Sequence, residues 1–254
     1  MTTASVDLDI LQLTDPHLFE SPQRQLKGVE TYESFLRTLR HALALWQPDI
    51  ILLTGDLSED RSPGAYCLLR ETLEPAQTPV FCIPGNHDDP AVLAEILNDG
   101  NFHCCEALRR GNWLLPMLNT WDGERGGGRV GADQLDFLDR QLATTDAEHA
   151  LVCLHHHPVP VGSAWLDSVG LADREDFMAM IARHSRVRGL LWGHVHQSFD
   201  RRMDGLRLMG TPSTCYQFVP GIDDFALDQL GPGFRRIKLQ RDGGIDSQIT
   251  QLDP

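Results

Sequence analysis

No stretch of this chain approaches the ~20 consecutive apolar residues that a membrane span requires. Its opening residues, Met1-Thr2-Thr3-Ala4-Ser5-Val6-Asp7, hold no basic stretch leading into an apolar run. Neither a membrane anchor nor a secretory leader is expected, and the sequence reads as cytoplasmic with no membrane partner. Basic residues are scarce, with 22 Lys and Arg against 36 Asp and Glu and a formal charge of -14. Nucleic-acid partners are disfavoured, because binding them depends on Lys and Arg neutralising phosphates. A small anion is compatible with this balance, since bound divalent cations reverse the local sign. The six cysteines include no CxxC spacing, and Cys82 and Cys153 fall inside apolar strands. They read as reduced core thiols, with the adjacent Cys104-Cys105 the one grouping that suggests redox chemistry. There is no internal repeat, linker or low-complexity tract, so a single domain over residues 1–254 is the simplest division.

What the chain does have is strand-like runs that end in His, Asp and Asn. Leu8-Asp9-Ile10-Leu11-Gln12-Leu13 empties into Asp15-Pro16-His17. The period then changes: Tyr32, Phe35, Leu36, Leu39, Leu43 and Trp46 recur at helical spacing, with Thr31 as the expected N-cap. Ile50-Ile51-Leu52-Leu53 is uniformly apolar, hence a buried strand, and ends in Gly55-Asp56. A helix is predicted over roughly 63–73, a strand at Val80-Phe81-Cys82-Ile83, then the turn Pro84-Gly85-Asn86-His87-Asp88 and a helix from about Ala91 to Leu97. This β-α-β-α-β alternation implies parallel strands with right-handed crossovers, so Asp15, Asp56 and Asn86 should converge at one sheet edge. Strands around 102–105 and 112–119 precede a glycine-rich stretch, Asp122 to Arg129. That stretch lacks the Gly-Lys-Ser/Thr ending of a phosphate loop and reads as a mobile loop. A helix carrying Leu135, Leu138 and Leu142 follows. The strand Ala150 to Leu154 delivers His155-His156-His157, and after a helix near 175–182 the strand Val187 to Trp192 delivers His194 and His196. A hairpin with the turn Asp204-Gly205 and two late strands near 234–239 and 245–249 close the chain.

Gly, Asn and Asp are ordinary turn formers, and a lone Asp-x-His or His-x-His is common. Five strand ends carrying such residues point instead to metal. The candidate ligands are Asp15, His17, Asp56, Asn86, one of the three histidines at 155–157, His194 and His196. Seven side chains exceed one tetrahedral zinc, and without cysteine ligands a closed structural site is disfavoured. They suit two divalent or mixed-valence metal ions that share a carboxylate and keep open positions. Mixed N/O ligation suits manganese, iron, zinc or cobalt and does not choose among them; iron and manganese are the first expectation, zinc or cobalt the alternatives. Such a pair activates a bridging hydroxide and clamps a phosphoryl group, so phosphoester hydrolysis is the natural reaction. His87 would be free of metal and able to stabilise the developing charge or protonate the leaving oxygen, with Glu59 or Asp60 as its carboxylate partner. Among the triple histidines His155 leaves its strand first and is preferred, His156 being second.

The ordered blocks Asp15-Pro16-His17, Gly55-Asp56, Gly85-Asn86-His87-Asp88, His155 and Gly193-His194-Val195-His196 resemble the calcineurin-like metallophosphoesterase superfamily. The resemblance implies a four-layer α/β sandwich, two mixed β-sheets flanked by α-helices, with a dinuclear centre at one edge. Carried over residue by residue, Asp15, His17, Asp56 and His196 would hold the first metal, Asp56 would bridge, and Asn86, His155 and His194 would hold the second. Asn86 and His87 would be catalytic, and His17, Asp56, Asn86, His87, His155 and His196 would face the substrate. Pro16 departs from the usual small or hydroxyl residue at a position that supplies no ligand. The stretches 155–167, 193–197 and 211–218 are similar to bacterial class III cyclic 3′,5′-AMP phosphodiesterases, which implies hydrolysis of cyclic AMP to 5′-AMP. A broad phosphodiesterase or glycerophosphodiesterase is the alternative on the same scaffold. A catalytically dead binding module should have lost ligands, and all seven are present. Trp165, Leu166, Cys215 and Tyr216 are adenine-pocket candidates by resemblance alone.

Overall fold

Ile50–Thr54 is buried at every position, which requires a strand with neighbours on both edges and cover on both faces. In the computed structural model, which describes residues 7–123 and 126–254, it is β4, at the interior of a six-stranded sheet ordered β14-β13-β1-β4-β5-β6. Its companions are β1 (Leu8–Leu13), β5 (Val80–Ile83), β6 (Phe102–Cys104), β13 (Gly233–Leu239) and β14 (Ile245–Gln251). A second sheet is ordered β11-β12-β10-β9-β8-β7. It comprises β7 (Ala107–Arg110), β8 (Trp113–Pro116), β9 (His149–Cys153), β10 (Val187–Trp192), β11 (Phe199–Met203) and β12 (Leu206–Gly210). A short ribbon pairs β2 (Gln25–Leu26) with β3 (Val29–Glu30). β1, β4, β5 and β6 run parallel, as do β8, β9, β10 and β12, while β13, β14, β7 and β11 pair antiparallel.

Side-chain alternation sorts the core into three slabs. Ile10, Ile50, Leu52, Phe81 and Ile83 face Trp113, Leu115, Leu151, Leu191 and Met209 across the gap between the sheets. Leu11, Leu13, Ile51, Leu53 and Cys82 turn the other way, onto α1 (Thr31–Leu45), α2 (Pro63–Leu73) and α3 (Pro90–Ile96). On the far side Val152, Leu190 and Trp192 pack beneath α4 (Gly131–Thr144) and α6 (Arg174–Ile181), with the short α5 (Ala164–Asp167) beside them. The result is helix, sheet, sheet, helix, the expected α/β sandwich of two mixed sheets. Each enclosed Leu or Ile stabilises the fold by about 1.5–3 kcal/mol.

Several local expectations change. Thr31 is the first helical residue rather than the cap, and Glu30 in the cap position makes no side-chain capping bond. Ser62 and Asp89 cap α2 and α3 instead. β7 and α5 carry no clear sequence signal, because Ala107-Leu108-Arg109-Arg110 has little apolar alternation and α5 spans only one turn. The described part of the glycine-rich stretch is pinned, with Gly128 bridged to Trp121 and Leu171. A Cβ on Gly128 would overlap the His156 ring, so the backbone there is a packing surface. Met1 to Val6 and Glu124-Arg125 lie outside the described residues.

Two buried polar groups join the sheets. Gln12 on β1 donates through Nε2 to Thr54 Oγ1 at 2.8 Å and to the Trp192 carbonyl at 3.2 Å. Arg235 on β13 is 1% exposed. Its guanidinium donates to the carbonyls of Phe199 (3.0 Å) and Gly210 (2.8 Å), to Thr211 Oγ1 (2.9 Å), to Ser247 Oγ (2.6 Å) and to the Asp200 carboxylate (3.3 Å). Removing one member of such a network leaves the others unpaired in a low-dielectric setting. Arg235→Ala is therefore expected to lose about 3–5 kcal/mol of unfolding free energy in urea titration, and Arg235→Lys, a point donor without the planar fork, to recover less than half of it.

Candidate metal centre

The five strands predicted to carry chemistry end on one rim. β1, β4 and β5 release Asp15, His17, Asp56, Asn86 and His87 from the first sheet, and β9 and β10 release His155, His194 and His196 from the second. The chain is forced into unusual conformations to do so. Of the ten non-glycine residues with positive φ among those described, five are candidate ligands: Asp15 (52°), His17 (47°), Asp56 (50°), His194 (65°) and His196 (45°). Left-handed backbone at non-glycine residues costs of order 1–3 kcal/mol apiece and persists where function requires it.

The imidazoles share one construction. His17 Nδ1 contacts Glu59 Oε2 at 2.8 Å, His155 Nδ1 contacts the Thr54 carbonyl at 2.7 Å, and His196 Nδ1 contacts the Tyr216 carbonyl at 2.7 Å. All three partners are acceptors, so Nδ1 carries the proton and the Nε2 lone pair points inward. Those Nε2 atoms converge: His17 lies 3.2 Å from His196, His196 lies 3.2 Å from Asp15 Oδ1, and Asp56 Oδ2 lies between His17 (3.8 Å) and His155 (3.4 Å). Asn86 Oδ1 is 3.3 Å from His155 Nε2. Outer hydrogen bonds that fix the tautomer and aim the free nitrogen are what metal-ligating histidines show. Two lone pairs facing each other at 3.2 Å are repulsive without a shared proton or cation. Asp15, His17 and His196 form one tight set and Asp15, Asp56 and His155 another, joined by His155, His156 and His194. Nε2 of His194 and of His156 are both buried without a partner, a donor set that a cation satisfies. The residues fit two metal ions.

Electrostatics divide the set: burial would lower His155, but Asp56 and then Asp15 raise it to about 9, so a cation must displace a proton from that imidazole. Burial alone would raise the Asp56 carboxyl, but the His155, His87 and His17 imidazoles outweigh it and hold it well below its ordinary range. Burial lowers His17, and it lowers His194 with help from the neighbouring imidazoles. Both are therefore neutral and able to ligate.

His87 differs from the rest, being 39% exposed at its side chain. Its Nδ1 lies 3.0 Å from Glu59 Oε2, the oxygen that also holds His17. Of the two expected carboxylate partners it is thus Glu59, while Asp60 accepts from Ser62 and Ser58. Burial would lower His87, but Asp56, Glu59 and Asp88 raise it to about 9, leaving a cationic imidazole beside the ligand set. Burial also opposes ionisation of Glu59, yet its bonds to His17 and His87 bring it down to about 2.

Asp88 plays a part that sequence reasoning missed. Fully buried, its carboxylate accepts from the backbone of Leu57 (3.0 Å), Ser58 (2.9 Å) and Gly85 (2.8 Å) and from Tyr66 Oη (3.1 Å). It thereby locks the Asp56 turn to the Asn86 turn. His156 is built like His155: its Nδ1 meets Thr120 Oγ1 at 2.8 Å and its Nε2 is buried beside His155 and His194, so both histidines belong to the donor set. Of the adenine-pocket candidates, Leu166 and Cys215 are core. Tyr216 stacks on His17, with centroids 5.7 Å apart, and Trp165 packs edge-on against Phe218 at 4.7 Å, so the two form parts of an aromatic wall beside the centre. No helix among the described residues is long and apolar enough to cross a membrane.

Comparison with known proteins gives the same direction. Residues 8–198 match the family model described as calcineurin-like phosphoesterase. Over 255 residues the chain is 37% identical to the 3′,5′-cyclic adenosine monophosphate phosphodiesterase CpdA of Pseudomonas aeruginosa, covering 99% of this chain and 93% of that protein. It is 37% identical to a 3′,5′-cyclic-nucleotide phosphodiesterase of Nostoc sp. (96% and 92% covered) and 36% identical to CpdA of Escherichia coli K12 (96% and 89%). Among solved structures, a dimetal phosphatase from Danio rerio superposes with a TM-score of 0.67 at 15% identity, covering 96% of this chain and 98% of that one. A purple acid phosphatase from yellow lupin superposes at 0.65 and 14% identity, covering 98% and 54%. These structures share the fold. By sequence, fold and the order of its motif blocks, this chain belongs to the calcineurin-like phosphoesterase family.

Proposed function

We propose that this protein hydrolyses 3′,5′-cyclic AMP to 5′-AMP at a centre of two metal ions, with residues 1–254 acting as one domain. The observation that carries the reading is the convergence of the Nε2 atoms of His17, His155 and His196 around Asp56, each aimed from behind by an acceptor. Asp15, His17, Asp56 and His196 would hold one ion. Asp56, Asn86, His155 and His194 would hold the other. Iron or manganese is the first choice for both. The substrate follows from relatives that match over nearly their whole length and are named for cyclic AMP or cyclic nucleotides.

Bound metals supply Lewis acidity and an acidified water. The chain's own residues do the rest. Glu59 fixes the His87 ring through Nδ1, leaving Nε2 as the outward proton donor. That proton goes to the ribose 3′ oxygen as its bond to phosphorus breaks, and the 5′ ester stays intact. Asn86, locked in place through Asp88, orients the phosphate with its amide N–H, and His17, His155 and His196, whose Nδ1 atoms are held by acceptors, would act on it through the ions they hold. The nearby aromatic wall of Tyr216, Phe218 and Trp165 gives the base an apolar face.

The test is turnover of metal-stripped protein reloaded with manganese or iron, on cyclic AMP, cyclic GMP and bis-p-nitrophenyl phosphate, with products separated by chromatography. Metal-dependent release of 5′-AMP is expected. Rapid cleavage of the synthetic diester with cyclic AMP left intact would move the assignment to a broad phosphodiesterase. His87→Ala and Asn86→Ala should each lower kcat by about a hundredfold to ten-thousandfold with unchanged far-UV circular dichroism, and wild-type rates in both would overturn the catalytic roles of these two residues. Gly85 has no room for a Cβ, which would overlap Asp56 and His155. Gly85→Ala should retain less than half of the wild-type metal content by elemental analysis, with the fold intact.

A further inference from the structure

Three thiols gather away from the metal centre, at the edge of the first sheet. β6 is the outermost strand there, and in its parallel register Cys104 stands opposite Cys82 on β5. β5 is the strand that ends in the Asn86 turn. Cys105 follows in a left-handed conformation, φ 54°, with its N–H donated to the Cys82 carbonyl at 3.0 Å. This turn breaks the alternation that would send neighbouring side chains to opposite faces, and the Sγ atoms of Cys104 and Cys105 lie 3.6 Å apart. Both are partly exposed, whereas Cys82 is buried with its thiol directed at the carbonyls of His103 (3.6 Å) and Leu97 (3.7 Å). The two reachable thiols are also unlike. Contact with the Cys105 thiol, and then the Cys82 thiol, holds the Cys104 thiol below the ordinary cysteine range, while the hydrogen bond with Cys104 and then burial raise that of Cys105. An attacking thiolate beside a protonated resolving thiol is the arrangement that thiol–disulfide exchange uses.

We propose that Cys104 and Cys105 are a redox-active vicinal dithiol that small-molecule disulfides of the glutathione type oxidise reversibly to an intramolecular disulfide. The Cys104 thiolate attacks one sulfur of the small disulfide. That S–S bond breaks, and one small thiolate departs and takes up a proton. Cys105 then loses its proton, attacks the Cys104 sulfur and expels the second small thiol. Two electrons and two protons pass from the cysteine pair to the small disulfide, which ends as two thiols.

The experiment incubates the full-length, metal-loaded protein in buffers of graded reduced-to-oxidised glutathione ratio, quenches in acid, alkylates, and maps peptides by mass spectrometry. The expected product is a peptide carrying a Cys104–Cys105 disulfide, about 2 Da lighter than the reduced peptide and free of both alkyl label and glutathione. The exposed Cys67 reports in the same digest on an ordinary surface thiol, which should carry glutathione. Cys105→Ser should turn the product into a stable glutathione adduct on Cys104. Alkylation of both Cys104 and Cys105 where Cys67 is already modified would overturn the proposal. So would a glutathione adduct persisting on wild-type Cys104, or a Cys82–Cys104 disulfide in place of the vicinal one.

Discussion

The candidate centre depends on one buried carboxylate that ligates nothing. Asp88 gathers backbone donors from both sides of the gap between the Asp56 and Asn86 turns and adds the Tyr66 hydroxyl. Charge-assisted bonds of this kind are about twice as strong as neutral ones. Because Gly85 and Leu57 sit on different strands' exits, satisfying Asp88 fixes the distance between the two turns. Tyr66 in turn accepts from the N–H of Asp89, the cap of α3, at 2.9 Å. The same carboxylate therefore sets where helix, turn and ligand meet.

Around that anchor the protein gathers groups that repel one another. Asp15 and Asp56 are carboxylates with almost no access to water, and His17, His155, His156, His194 and His196 crowd beside them. The arrangement is costly without cations: buried charge is tolerated only when paired, and left-handed backbone adds strain. Evidence of function lies in that cost, since a fold selected for stability alone would have filled the rim with apolar side chains.

The sequence made much of this legible because it punctuates clearly. Apolar runs such as Ile50 to Leu53 can only be buried strands, and strand-helix alternation makes their exits share an edge, so Asp15, Asp56 and Asn86 could be brought together without coordinates. What stayed hidden was long-range or carried by backbone. Thr54 and Tyr216 position His155 and His196 through carbonyl groups, which any residue offers, so residue identity holds no trace of them. Arg235 reads as one more charge on an alternating strand, and only the packing of two sheets shows it to be interior. Thr31 loses its expected role as cap because the ribbon of β2 and β3 brings Glu30 into the helix start. Gly128 reads as loop flexibility because sequence cannot say that an imidazole lies where its side chain would be.

The register of β1 has a consequence for how the molecule is made. β1 pairs on one side with β4, which follows soon after, and on the other with β13, which is made only after the whole second sheet, Leu8 meeting Leu239. Until β13 is made that second edge stays open, an invitation to mispairing that cells ordinarily meet with chaperones. Arg235 arrives on the same late strand and fastens it to the second sheet. The strand that delivers Asp15 and His17 thus lacks one neighbour until β13 is made, so a product stalled just before β13 would hold every candidate ligand on an incomplete sheet.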